Sequence, residues 1–416
     1  VPSLFADLTP LRVSPEYRRL WAALAVSNIG QQMTSVAVGI QVYDITGSPL
    51  AVGFVGFFQL VPLVFFGLYG GALSDSYDRR RIGILTAAGL MLCSAILLSQ
   101  ALVGSTSVAL LYAVVAVQSG FFAVGNPARQ AIIPRLVGLD LLPAANSLGM
   151  LSFNIGSTLG PLLGGLLIGL TGHVSTPYAL DVVAFVGTFY AMVRLRPMPP
   201  LAAAPRTAGF GSVLEGLRYL KGRRNLQMSF YVDIAAMVFG MPRALFPAIA
   251  ATFYPGSMLQ AATIVGLLSA APAVGAIISG VLSGPLTRIR WQGLVVVVAI
   301  VGWGLSIALF GLVHVLWIGL LLLALAGAAD NVSAVMRSTI LQAASPDEYR
   351  GRLQGIFTVV VAGGPRLGDV ESGAVATIAG VPFAVVSGGL ACLAVLAALV
   401  AWSPGFLRYD AQKPSP

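Results

Sequence analysis

The sequence predicts an all-α membrane protein, with twelve transmembrane helices in two parallel six-helix repeats. Three observations predict it. The chain is 57% hydrophobic and only 9% charged, with a mean hydropathy of +0.88, whereas a soluble domain carries about 25% charged residues. Twelve apolar runs approach or exceed the roughly 20 residues that cross a bilayer: 20–43, 50–72, 82–103, 107–127, 144–171, 178–194, 226–252, 260–284, 291–313, 316–340, 354–378 and 382–402. Short motifs in the first half also return in the second at a constant offset.

The basic residues fall on one side of this arrangement. Arg12, Arg18 and Arg19 precede the first span, and Arg79, Arg80 and Arg81 separate the second from the third. Arg129 and Arg135 follow the fourth. Arg194, Arg196, Arg206, Arg218, Lys221, Arg223 and Arg224 lie between the sixth and seventh. Arg288 and Arg290 follow the eighth, Arg337, Arg350 and Arg352 the tenth, and Arg408 and Lys413 the twelfth. Loops 44–49, 104–106, 172–177 and 253–259, on the other side, hold no Lys or Arg. The positive-inside rule then puts both termini in the cytoplasm. The net charge of +9 records topology rather than a nucleic-acid partner. Two lysines against many arginines, with abundant Ala, Gly and Val, point to a bacterial, GC-rich source and hence to the inner membrane.

In chain order, span one carries Asn28, Gln31, Gln32 and Ser35 at i, i+3, i+4 and i+7. That stripe is expected to line a substrate cavity; the alternative is helix–helix hydrogen bonding, worth about 0.6 kcal/mol per contact. Gln118 is the large polar group of span four and joins the cavity candidates. Phe57, Phe58, Phe65, Phe66, Phe121 and Phe122 are candidates to bind an amphipathic substrate, with most of them expected to pack or face lipid. In span five, Gly156, Gly160 and Gly164 recur every four residues, followed by Gly165. Their common helix face is bare, so another helix can approach to backbone distance. Pro161 bends the helix there, and the segment is expected to act as a hinge and seal. Asp44 and Asp181 are expected to be caps or solvated groups. Cys93 and Cys392 lie inside spans and suit neither a disulfide nor a metal site. His173 and His314 are isolated. No cofactor is expected.

Residues 1–194 form the first six-helix half and 226–416 the second. The linker, 195–225, opens with Arg196-Pro197-Met198-Pro199-Pro200, which is extended and helix-breaking. It continues with Phe210, Val213, Leu214, Leu217 and Leu220 on one helical face, an interfacial amphipathic helix. Ionisable residues inside spans are functional candidates. They are Asp233 and Arg243 in span seven, Asp330 in span ten, and Arg366, Asp369 and Glu371 in span eleven. Asp233 and Arg243 are ten residues apart, about 15 Å along a helix, and cannot pair directly. Arg366 and Asp369, three apart, can. A proton carrier needs a carboxylate that no cation holds ionised. Asp233 is therefore favoured, ahead of Asp330 and Glu371, with Asp369 the poorest. Arg243 paired to Asp369 or Glu371 is the structural alternative.

Gly71-Ala72-Leu73-Ser74, followed by Arg79 and Arg81, returns as Gly280-Val281-Leu282-Ser283, followed by Arg288 and Arg290, at an offset of 280 − 71 = 209. Arg129 returns as Arg337 (337 − 129 = 208), and Gly156 and Gly160 as Gly364 and Gly368 (364 − 156 = 208). An even number of spans per unit keeps the copies parallel, as in major facilitators. The run Gly71 to Arg81 resembles the signature loop of the major facilitator superfamily, and Gly156 through Gly165 resembles the motif of its drug:proton antiporters. Tyr77-Asp78-Arg79-Arg80-Arg81 and Arg350-Gly351-Arg352-Leu353-Gln354-Gly355 are similar to the group that includes the enterobactin exporter and macrolide efflux proteins. The resemblance implies a conformational latch of Gly71, Asp75, Arg79 and Arg80, in which Asp75 meets the cytoplasmic end of span eleven. Ser76 stands where the motif has a basic residue, Asp78 where it has Gly, and span four lacks the arginine usual in proton-coupled drug exporters.

The expected function is secondary-active efflux of a hydrophobic or amphipathic organic molecule, drug or siderophore, by alternating access with proton antiport. A proton-independent facilitator and a non-transporting membrane ligand sensor are the alternatives. No Walker motif or catalytic constellation is present, so neither an ATPase nor an enzyme is expected. The expected partners are the small organic substrate, protons and the lipid bilayer, and the protein is expected to act as a monomer.

Overall fold

The computed structural model describes residues 7–199, 215, 218–255, 258–282, 289–345 and 347–410, without side chains at 68–76, 258–260, 347–352, 354, 355 and 358. All regular structure among them is helical. The helices are α1 (Thr9–Val13), α2 (Pro15–Thr46), α3 (Pro49–Ser76), α4 (Arg79–Leu102), α5 (Val108–Val137), α6 (Leu142–Thr171) and α7 (Ser175–Val193). After the linker come α8 (Arg224–Phe239), α9 (Phe246–Phe253), α10 (Met258–Val281), α11 (Gln292–Phe310), α12 (Leu316–Ala344), α13 (Asp347–Ala379) and α14 (Val381–Trp402). Most of the amphipathic linker segment lies outside the described residues.

Ten helical segments are long and apolar enough to cross a membrane, with α8 and α9 counted as one interrupted segment, Arg224–Phe253. The expected twelve differ by α2 and α13. These have 32 and 33 residues, so length is not the cause. Their polarity is: α2 carries the Asn28–Ser35 stripe, and α13 carries Arg366, Asp369 and Glu371. The two helices that depart from the lipid-solvent pattern carry the polar stripe of span one and three of the ionisable candidates.

Local chemistry sets the ends. Asp78 caps α4 by accepting from the Arg80 amide at 2.8 Å, and Ser107 caps α5 by accepting from Leu110 at 3.3 Å. α6 stops at Gly172, whose φ of 72° is left-handed. The break between α8 and α9 follows from Gly240 and Pro242: a 3-10 turn over Arg243–Leu245 bridges it. Within α6, Pro161 is buried.

The chain packs as two compact units. One comprises Val1–Ile45, Phe58–Gly209 and Ser257–Gly266; the other comprises Thr46–Phe57, Phe210–Gly256 and Leu267–Pro416. The first part of α3 thus packs with the second unit and the first part of α10 with the first.

In the first unit the glycine face of α6 lies on α2. A Cβ at Gly156 would strike Asn28, one at Gly160 the Ile29 carbonyl and Gln32, and one at Gly164 the backbone of Met33. Gly165 meets the Ala262 carbonyl and Gly266 of α10 instead. In the second unit the same contact recurs: a Cβ at Gly368 of α13 would strike the Met237 carbonyl of α8. The glycines are offset by 368 − 160 = 208 and the carbonyls by 237 − 29 = 208. The internal repeat is therefore a repeat of packing. A buried cluster of Tyr17, Leu20, Ala87, Ile132, Leu136, Leu148 and Met192 extends onto Leu195 and Met198, the start of the linker.

Candidate functional site

In the second unit, α8 and α12 bring together a charge cluster. Asp233 on α8 and Arg337 on α12 form an ion pair, both buried. Asp330, also on α12, lies 3.7 Å from Arg337 Nη2, and its side chain is 31% exposed against 1% for that of Arg337. Asp330 and Arg337 are seven residues apart, two helical turns, which puts them on one face. Arg337 Nε also donates to the Ser333 carbonyl at 3.3 Å. One guanidinium thus stands between two carboxylates, with Asp330 the member open to its surroundings. Arg337 is not a loop cation, as the charge pattern suggested; it is 1% exposed inside α12, drawn in by the two acids.

A second cluster sits at the α8–α9 break. Interrupting the helix frees the Ala244 amide, which donates to Asp369 Oδ1 of α13 at 3.2 Å. Arg243 and Arg366 both act electrostatically on Asp369. The first part of α3 closes on the same place: a Cβ at Gly53 would strike the Asp369 carbonyl, and one at Gly56 would meet Asp369 Oδ2 and the Arg366 carbonyl, each at 3.1 Å. Asp369 therefore caps a broken helix, with no ion pair to Arg243 or Arg366 among the described residues. Glu371 is half-buried and makes no hydrogen bond or ion pair among the described residues.

In the first unit the polar stripe of α2 divides. Asn28 Nδ2 donates to the Ser152 carbonyl at 3.2 Å, and Gln32 Nε2 to Ser157 Oγ at 3.3 Å, so both join α2 to α6. Gln31 is half-buried and Ser35 exposed, without a side-chain hydrogen bond among the described residues. Gln118 Nε2 is buried without a partner. Beside that stripe, next to Gln31 on the helix surface, α2 also carries Ser27 and Thr34. Ser27 Oγ lies 2.5 Å from Thr188 Oγ1 of α7, and Thr34 donates to Asp181 Oδ2 at 2.9 Å. Asp181 is neither a cap nor solvated, as expected from its place near a span end; it is fully buried. The other donor to Oδ2 is Ser94 at 2.7 Å, a hydroxyl in the middle of α4.

Gly71 and Asp75 lie where side chains are outside the described residues, although the helix α3 includes both. Their neighbours hold the linker. Arg79 Nη1 donates to the Ala131 carbonyl at 3.3 Å, and Arg80 Nη2 to Val193 at 2.6 Å. The Arg79 amide donates to the Met198 carbonyl at 3.2 Å, and the Met198 amide returns a bond to Asp78 Oδ1, also at 3.2 Å. Asp78, the residue that departs from the motif's glycine, grips the linker together with Arg135, whose Nη1 donates to the Pro199 carbonyl at 2.7 Å. Among the aromatics, Phe58 stacks on Tyr112 at 4.7 Å, and Phe121 fills the space left by Gly89.

A family model described as transmembrane secretion effector matches residues 5–411. The chain belongs to that family. Its relatives include the enterobactin exporter EntS of Citrobacter koseri, 32% identical over 419 residues, which cover 99% of this chain and 97% of that protein. EntS of Salmonella typhimurium is also 32% identical, over 99% of this chain and 98% of its own. Among solved structures, a mutant of the nucleoside transporter NupG superposes with a TM-score of 0.74 at 14% identity, covering 94% of this chain and 98% of that one. A D-xylose–proton symporter gives 0.73 at 14%, covering 96% and 99%. These likenesses show the major facilitator fold. Like the members of its family, the chain is a multi-pass membrane transporter rather than an enzyme.

Proposed function

We propose that this chain exports an amphipathic organic molecule of the siderophore kind across a bacterial inner membrane, by alternating access coupled to proton entry, with both termini in the cytoplasm. An efflux role is supported by the secretion-effector family and by relatives named enterobactin exporter. The observation that carries the proton coupling is the Asp233–Arg337–Asp330 cluster. Two acids share one base in a low-dielectric interior, so charge balance needs one added proton. Asp330, the more exposed acid, takes that proton up, and Asp233 with Arg337 stays paired until the exchange. Arg243, Arg366 and Asp369 act as a fixed brace at the helix break. Gln31, Ser35 and Gln118, whose side chains form no hydrogen bonds among the described residues, contact the substrate. The face of α6 from Gly156 to Gly165 serves as hinge and seal.

The test uses purified protein in proteoliposomes with enterobactin as probe. In inside-out vesicles a lumen-acid gradient is expected to drive enterobactin into the lumen. Asp233→Asn and Asp330→Asn are each expected to abolish the effect of the gradient while leaving downhill exchange. Downhill flux that ignores the gradient in the wild type would sink the antiport and leave a facilitator. Full coupling in both variants would move the coupling proton out of this cluster, with Glu371 the next candidate in the second unit.

A further inference from the structure

The first unit encloses a carboxyl group that this export scheme does not use. Asp181 on α7 is 0% exposed, and its Oδ2 receives Thr34 of α2 at 2.9 Å and Ser94 of α4 at 2.7 Å. Its Oδ1 has no hydrogen-bond partner and lies over Gly30, where a Cβ would collide with it. No cation faces it. On α2, Arg19 is eleven residues before Gly30 and Asp44 ten after Thr34, about 15 Å along the helix in each direction. On α4, Arg81 is thirteen residues before Ser94, about 20 Å away, and the neighbouring Cys93 is a buried thiol. On α7, Tyr178 gives its hydroxyl to Gln41 Oε1 at 2.9 Å, and Tyr190 is nine residues on. α6, also packed on α7, has no ionisable residue.

A buried carboxylate without a counter-ion costs several kcal/mol even after relaxation, and two hydroxyl donors replace only part of its hydration. A proton on the free oxygen removes the charge and leaves both hydroxyl bonds in place. We propose that Asp181, held by Thr34 and Ser94, is a proton-binding site of the N-terminal unit, separate from the Asp233–Arg337–Asp330 cluster. Binding adds one proton to the carboxylate, and release leaves the anion on the two hydroxyls. α2 links this site to the glycine face: Thr34 holds Asp181, while Met33 beside it seats against Gly164 of α6. Loss of the proton draws the Thr34 hydroxyl onto an anion and so pulls on the helix next to that seat.

Proton occupancy can be read without any substrate, so the site stands or falls independently of the export scheme. Purified full-length protein in lipid is titrated with pH and followed by difference infrared spectroscopy. A protonated-carboxyl C=O band is expected that Asp181→Asn removes, with Ser94→Ala and Thr34→Val each displacing its pH midpoint. An identical band in Asp181→Asn at every pH overturns the proposal. Should that variant fail to fold, an unmoved midpoint in both hydroxyl variants overturns it equally.

Discussion

The charge cluster of α8 and α12 turns on a single arginine. Removing one partner of a buried ion pair leaves an unpaired charge and costs about 3–5 kcal/mol, whereas replacing both is close to neutral. Arg337→Gln is expected to lower the thermal midpoint of the detergent-purified protein, and Asp233→Asn/Arg337→Gln to recover most of the loss. Additive losses in the double variant would show that the two side chains do not act as a pair. The sequence exposed half of this arrangement. Asp330 and Arg337 share a helix face by their seven-residue spacing, yet the topology rule claims every arginine near a span end as a cytoplasmic marker. The other half, Asp233, is 337 − 233 = 104 residues away, and only tertiary packing brings it in. Ser27 and Thr34 were hidden for a related reason: a small hydroxyl in a helix reads as neutral until the acid it faces is known.

At the scale of elements, the glycine face was legible because the physics is local: three glycines every four residues leave one side bare whatever lies opposite. What lay opposite was not legible, and it is backbone. Gly160→Leu and Gly368→Leu should therefore drive a side chain into the Ile29 and Met237 carbonyls, where no rotamer offers escape. Overpacking of this kind costs about 1–3 kcal/mol. Gly149→Leu, with nothing within 4 Å of its Cβ, is the matched control in the same helix. The expected result is a lower thermal midpoint for both face variants and none for the control; equal behaviour of all three would remove the close approach. The linker clasp makes a second prediction at this scale. Asp78→Ala removes the α4 cap, worth about 1 kcal/mol, and frees the Met198 amide. Faster proteolytic cleavage near Met198 is expected in this variant, and an unchanged cleavage rate would argue that Arg135, on the Pro199 carbonyl, holds the segment without Asp78.

For the whole molecule, composition and the duplicated motifs sufficed for the fold, because a bilayer admits few solutions for so apolar a chain. The span count differs: the sequence reads 20–43 and 354–378 as apolar runs, whereas the polarity of α2 and α13 leaves ten helical segments apolar enough to cross. Placement in the membrane then rests on the charge pattern, now without Arg337, which is interior. The remaining basic residues still separate from the lysine- and arginine-free loops, so the orientation has a direct test. Cys93 and Cys392 are 4% and 0% exposed, so the chain offers little thiol background to a membrane-impermeant maleimide. His173→Cys sits in an exposed turn between α6 and α7, and Lys221→Cys in an exposed turn just before α8. With both termini in the cytoplasm, intact spheroplasts should label His173→Cys at once and Lys221→Cys only after permeabilisation. Each span reverses the side, so an odd number of crossings separates these two positions in any arrangement where α7 spans once. Labelling of both from the same side would therefore break the six-helix count of the first repeat, and labelling in the reverse order would invert the protein while keeping the fold.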